Sequence, residues 1–299
     1  MEFLSPALLE TCRPYAAARF HYTALTAFLE TDLTMTPRNL NDSQLTFEQD
    51  GLLHFEEESH TYRVDGIGQL TPVSHVVSTF FKPFDADYWS LKKCHNDEDA
   101  AARLRDEWEA RGAYASQAGT FMHKQIENYL NGIRQPELVC RTHYDGPFVH
   151  MAEEVDISRE WNFFKAFDQE TAYHPFRTEW GVYDAEAGIA GTIDLICSRD
   201  DGSYEIYDWK RSNKINPNEE IRWCHGLHGL EHLPDTSYTH YCIQQNLYRY
   251  LVEKNYGLKI SRMNLVVLHP DYHNYRIVSI PVMDREIRTI LTYLAQHPL

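Results

Sequence analysis

Short stretches that alternate apolar and polar positions interrupt longer helix-prone segments along this chain, and the change of period divides it into elements. Residues 97–109 are rich in Ala, Arg and Glu and predict a helix, with Gly112 set to end or kink it. A second helix is expected from Ser116 to Leu130, stopping at Asn131-Gly132; on it Gly119, His123 and Glu127 recur every fourth residue and share a face. A loop of about twenty residues containing Pro136 and Pro147 should lead to a helix over 158–173. Three strands follow, at 176–183, 189–197 and 203–210. A long polar connection, 213–237, then precedes a helix at 238–256, a strand pair at 263–269 and 275–280, and a closing helix at 284–296. Upstream, LLHFEEESHTYRVD (52–65) reads as a hairpin, and Thr71-Pro72-Val73 starts a helix running through Ser78 and Phe81. Strands flanked by long helices predict an α/β fold with a central mixed sheet. Residues 1–50 are expected to be an appendage and linker, with 51–299 one domain whose part from 72 to 175 is mainly helical.

The stretch GTIDLICSRDDGSYEIYDWKRS, Gly191–Ser212, carries the most information. Asp200-Asp201-Gly202 supplies turn chemistry between two strands. A three-residue loop with Gly202 in the left-handed region pairs Arg199 with Ser203 and sets Asp194 opposite Asp208. A two-residue loop would put the two aspartates on opposite faces. In the first register Lys210 shares their face, because side chains two apart on a strand point the same way. Two carboxylates converging beside one ammonium are costly unless a cation lies between the acids. A divalent metal site with an adjacent lysine is therefore expected.

Composition limits what such a site could serve. An apolar share of 43% suffices for a packed core. No apolar run approaches membrane-spanning length, so no membrane partner is expected. Six cysteines without a CxxC pair fit free thiols in a reducing intracellular compartment, cytoplasm or nucleus. The net charge of −16 argues against a general nucleic-acid coat and for local contacts assisted by a metal. Ten acids against three arginines in residues 1–60 leave an acidic N-terminal region that could meet a protein partner.

Glu179, on the preceding strand, can join Asp194 and Asp208 at one sheet edge, where Mg2+ or Mn2+ would find oxygen ligands; solvated surface acids are the bland alternative. Lys210 beside them could orient an attacking water and neutralise developing charge, or simply form a structural ion pair. Phe80, Phe81, Phe84, Tyr88 and Trp89 read first as core and lid packing, and second as a stacking platform for bases. Cys224, His225, His228 and His232 lack the paired spacing of a zinc cage.

GTID followed fourteen residues later by DWK resembles the PD-(D/E)XK nuclease superfamily, and specifically its RecB-like exonuclease branch. GTFMH (119–123) with Glu127 is similar to that branch's helical histidine motif, TEW (178–180) to its strand glutamate, and Gln244 and Tyr248 in YCIQQNLYRYL to its late QxxxY helix. LVVLHPDYHNY (265–275) resembles the closing strands of viral and phage members and of the mitochondrial genome maintenance exonuclease. The resemblance implies a restriction-endonuclease-like core. It implies Asp194, Asp208, His123 and the main-chain carbonyl of Trp209 as metal ligands, a catalytic Lys210, and Glu179 supporting the metal's water shell. It further implies Gln244 and Tyr248 near the scissile bond or the lysine, and Ser212 and Arg211 on phosphate. The expected activity is Mg2+- or Mn2+-dependent hydrolysis of DNA, by an exonuclease of replication, repair or recombination acting on single-stranded ends. A cap-snatching type of RNA endonuclease, or a catalytically silent binding module, are the alternatives. Iron–sulfur members carry three cysteines near the C-terminus; none follows Cys242 here, so no cluster is expected.

Overall fold

A computed structural model describes residues 40–42, 47–56, 59–133, 135–219 and 224–299. Most of the expected appendage and linker, residues 1–50, lies outside the described residues. In chain order, a hairpin of β1 (Leu53–Glu56) and β2 (Thr61–Val64) continues into β3 (Gly68–Pro72). Three helices follow: α1 (Val73–Thr79), α2 (Ala86–Lys93) and α3 (Glu98–Leu130). A second hairpin, β4 (Val139–Asp145) with β5 (His150–Asp156), precedes α4 (Ser158–Glu170). Next come β6 (His174–Asp184), β7 (Ile189–Ser198) and β8 (Tyr204–Lys210), then α5 (Ser237–Asn255). The chain closes with β9 (Ile260–Val267), β10 (Arg276–Ser279) and α6 (Asp284–Gln296).

Strand β7 is the hub of a mixed eight-stranded sheet ordered β1-β2-β3-β7-β8-β9-β10, with β6 also paired to β7. Along one edge β7 pairs antiparallel with β6. Along the other it pairs first with β3, in parallel at Ile189 and Ala190, and then with β8, antiparallel from Leu195 to Ser198. Between those contacts, at Gly191–Asp194, this second edge carries no strand partner among the described residues, and the sheet opens there. Helices cover both faces. On one, α1, α5 and α6 enclose a core containing Val76, Ile193, Ile206, Ile243, Leu247 and Leu265. On the other, α3 and α4 pack Met122, Ile126, Phe164 and Phe167 against Leu195, Tyr207 and Trp209. Trp209 alone, 1% exposed and edge-on to Phe164 and Phe167, contributes about 1.5–3 kcal/mol by burial. The architecture is the restriction-endonuclease-like α/β fold.

Two expectations need correcting. The two helices expected on either side of Gly112 are one, α3, of 33 residues. Gly112 and Gly119 both stand in open space, and each costs the helix only about 1 kcal/mol. The helix persists because both halves are anchored. Asp97 caps its start by accepting from the Ala100 amide at 3.0 Å. The C-terminal half is locked by Met122 and Ile126 in the core. Its N-terminal half and middle are held by β4–β5, the second surprise, which replaces the expected loop. Gln117 exchanges two hydrogen bonds of 2.8 Å with the His143 backbone, and Asp106 accepts from the amides of Phe148 (2.7 Å) and Val149 (2.6 Å). The part expected to be mainly helical therefore contains a hairpin. The described part of residues 1–50 contacts both the end of α3 and the sheet. Leu40 donates its amide to Asn131 at 2.7 Å, Asn41 donates to the Thr178 carbonyl at 2.7 Å, and Asp50 pairs with Arg177 at 2.9 Å.

Candidate active site

Gly202 adopts φ +77°, its amide reaches the Arg199 carbonyl at 3.0 Å, and Arg199 donates to Ser203 at 3.0 Å. The loop between β7 and β8 is thus the three-residue form. The ladder Ser198–Tyr204 through Leu195–Tyr207 brings Asp194 level with Asp208. At that rung the backbone ladder stops, and the Asp194 carboxylate itself accepts from the Trp209 amide at 2.8 Å.

The neighbouring ladder is interrupted at the same level. β6 and β7 keep one register from Arg177–Ile196 to Asp184–Ile189, yet Glu179 and Asp194, which would face each other, do not pair. Glu179 sits at φ +44°, a left-handed conformation that costs a non-glycine residue about 1–3 kcal/mol and is retained where surrounding structure enforces it. Side-chain alternation changes phase there too: Ile193 belongs to one core, Leu195 to the other. This break frees Glu179 and Asp194 from the sheet's alternation and lets both reach one cavity.

His123 reaches the same point from α3. Its Nε2 donates to the Trp209 carbonyl at 2.8 Å, which leaves Nδ1 facing the Asp194 carboxylate at 3.5 Å. Single ligand atoms of His123, Glu179 and Asp194 all lie within 4.8 Å of one another. Ligands of an octahedral magnesium ion at about 2.1 Å are spaced roughly 3–4.2 Å apart, so these donors fit a divalent cation after small side-chain rotations. The electrostatics agree. Burial, then the charges of Asp194, Glu127 and Asp208, push the Glu179 carboxyl up to about 9. Desolvation lowers the His123 imidazole despite nearby Asp194, which favours the neutral form that binds metals.

Asp208 and Lys210 stand behind this trio. Asp208 is 2% exposed; its Oδ1 accepts from Gln245 at 2.8 Å and its Oδ2 is 2.5 Å from the Lys210 ammonium. Burial pulls the lysine pKa down, but Asp208 and Asp194 outweigh it and hold the group above its ordinary value, hence charged. Its Nζ lies 4.8 Å from the centroid of the Tyr241 ring. Gln244 donates to the Tyr248 hydroxyl at 3.2 Å, and both line the cavity. Tyr248 explains the glycine of GTID: a Cβ on Gly191 would lie 2.6 Å from Tyr248 Cε1.

Of the expected ligands, His123 and Asp194 come together, and Glu179, expected to support the metal's water shell, lies with them. In this structure Asp208 is engaged by Gln245 and Lys210, and the Trp209 carbonyl by His123. Arg211 is not brought to the site. It follows Trp209 to the other face of the sheet, where its Nε donates to fully buried Glu160 at 2.7 Å. Ser212 is engaged locally, accepting from the Lys214 amide at 3.2 Å. Gln245 and Tyr241 were missed. Both lie on the helix carrying the QxxxY pair, one turn apart, and that spacing was the available signal. The expected aromatic cluster divides: Phe80 and Phe81 are core, whereas Phe84, Tyr88 and Trp89 are exposed.

Residues 91–286 match the family model of the PD-(D/E)XK nuclease superfamily. The chain belongs to that superfamily, a class of nucleases that act with divalent metals. A solved structure titled "Crystal structure of SSO0001" is similar over 93% of this chain and 85% of its own, at 14% identity and a TM-score of 0.29. No curated protein matches.

Proposed function

We propose that this chain is a Mg2+- or Mn2+-dependent nuclease that hydrolyses phosphodiester bonds of DNA, working as an exonuclease on single-stranded ends. The observation that carries the metal-dependent part is the convergence of His123, Glu179 and Asp194 on one point, with the Asp208–Lys210 pair directly behind. Those three residues would hold the cation. When bound, it would polarise the phosphate and lower the pKa of a coordinated water.

The remaining work falls to the chain itself. His123 is kept in one tautomer by its bond to the Trp209 carbonyl, so Nδ1 carries the lone pair. Lys210 is fixed by Asp208 and stays charged, ready to stabilise negative charge on the phosphate as the bond breaks. Gln245 holds Asp208, and therefore the lysine, in place. The DNA preference and the end-directed action rest on the resemblance of the GTID, DWK, GTFMH and QxxxY motifs to RecB-like exonucleases.

A time course on end-labelled single- and double-stranded DNA and matched RNA, with and without Mn2+, tests this reading. Metal-dependent release of short products from one end of single-stranded DNA is expected. Internal cuts in RNA would replace it with the endonuclease reading.

A further inference from the structure

The cavity in front of the site has a volume of about 1520 Å³, more than the roughly 300–1,000 Å³ of a small-molecule pocket. Its far wall is the β1–β2 hairpin, which lies ahead of the residues the family model matches. Phe55 and Tyr62 are direct cross-strand partners there, with ring centroids 4.6 Å apart and planes inclined by 30°. Tyr62 is buried and bonded through its hydroxyl to Thr192 at 2.9 Å, two residues before Asp194. Phe55, in contrast, is 43% exposed and lines the cavity. His60, at φ +49°, sets its ring perpendicular to that of Phe55 at 5.2 Å. An aromatic stack thus runs from the solvent-facing rim to the strand that carries the site.

Phosphate attraction is poorly supplied here. The chain's net charge is −16, and the Lys and Arg side chains that line the cavity are each paired with an acid: Lys124 with Glu127 at 2.8 Å, Arg141 with Glu154 at 3.5 Å, and Arg177 with Asp50 at 2.9 Å. A strand entering this cavity must be held by something besides neutralised phosphates. Base–aromatic stacking is sequence-tolerant and needs an unpaired base with a free face.

Resting on the nuclease reading above, we infer that Phe55, backed by Tyr62 and flanked by His60, is a stacking shelf for an unpaired nucleobase of the strand being cut. The shelf admits a single-stranded end and holds it beside the site.

A single-stranded oligonucleotide with phosphorothioate linkages and one terminal 2-aminopurine reports stacking directly, without requiring cleavage. The wild-type protein with Mg2+ should quench the 2-aminopurine. Phe55→Ala should abolish the quenching and weaken binding between about five- and 150-fold, the range of one lost base stack. Phe55→Trp should restore both. Trp89→Ala removes an aromatic that is 42% exposed on another surface and should change neither. An abasic residue at the same position should weaken binding to the wild type and have no further effect on Phe55→Ala. Unchanged quenching and affinity in Phe55→Ala, or an abasic penalty that persists in it, would overturn the shelf. Equal quenching of a blunt duplex end would overturn its preference for an unpaired base. Quenching by a wild-type protein that cleaves no nucleic acid under any divalent ion would leave the shelf standing and remove the nuclease reading; cleavage without quenching would do the reverse.

Discussion

Strand β8 and the residue after it carry two ion pairs that look alike and sit in different surroundings. Lys210 and Asp208 meet at 2.5 Å on one side, Arg211 and Glu160 at 2.7 Å on the other. Both are largely withdrawn from water. What separates them is the surrounding charge. Arg211 and Glu160 pair at the first turn of α4, with His269 near both, beside the aromatic core of Trp209, Phe164 and Phe167. Lys210 and Asp208 stand beside Asp194 and Glu179, carboxylates for which the described residues supply too little positive charge. The Arg211–Glu160 pair has the surroundings of a structural bridge; beside Lys210 and Asp208 negative charge is left over, and that surplus is what supports the proposed chemistry.

Removing one partner from each pair should break this comparison in different currencies. Glu160→Ala leaves the Arg211 guanidinium buried and unpaired, and a stability loss of about 3–5 kcal/mol is expected in urea unfolding, with metal-dependent cleavage by the folded fraction retained. A cleavage loss exceeding the folded fraction would mean Arg211 does reach the substrate. Lys210→Ala also leaves buried Asp208 without its ammonium and costs stability, but its distinguishing effect should be a kcat per folded molecule lower by about 10²–10³-fold, the scale of one lost electrostatic stabiliser, with the circular dichroism spectrum of the folded protein unchanged. Cleavage at the wild-type rate would return Lys210 to a structural role. Asp194→Asn tests the trio itself: calorimetric titration should show weakened Mn2+ binding, and unchanged binding would exclude it.

Two smaller effects sharpen the contrast. Gly191→Ala places a methyl against the Tyr248 ring, and overpacking of about 1–3 kcal/mol is expected as a drop in the unfolding midpoint. On the structural face, burial would raise the Asp168 pKa, but hydrogen bonds from Lys165, Tyr173 and Tyr129 hold it below the ordinary value. A carboxylate depressed in the folded state stabilises the fold above its unfolded pKa of ~3.9 and loses that contribution as pH falls through the folded value. Asp168→Asn should therefore be less stable than the wild type at pH 6, with the gap closing below pH ~3.9. A gap independent of pH would show that packing, not charge, is what the residue supplies.

Much of this site is legible because it depends on short-range rules. Gly202 fixes the loop, the loop fixes the register, and the register sets Asp194 level with Asp208. The closing helix at 284–296 falls where the pattern puts it, since a long amphipathic period is hard to mistake. The β4–β5 hairpin escaped because its strands bury little: Thr142 and Val155 are its buried positions, and no alternation of apolar residues announces it. Without that hairpin nothing in the sequence required α3 to pass through Gly112.

The sequence by itself determined which residues are available for chemistry and the level at which two aspartates meet. Which acids come within reach of His123 was decided by tertiary structure alone. The left-handed turn at Glu179, the change of phase at Asp194, and the pull of Lys210 and Gln245 on Asp208 are products of strands and helices packed together. Backbone alternation is a local rule. A packed sheet can break it at one rung, where the surrounding cores outweigh the strain.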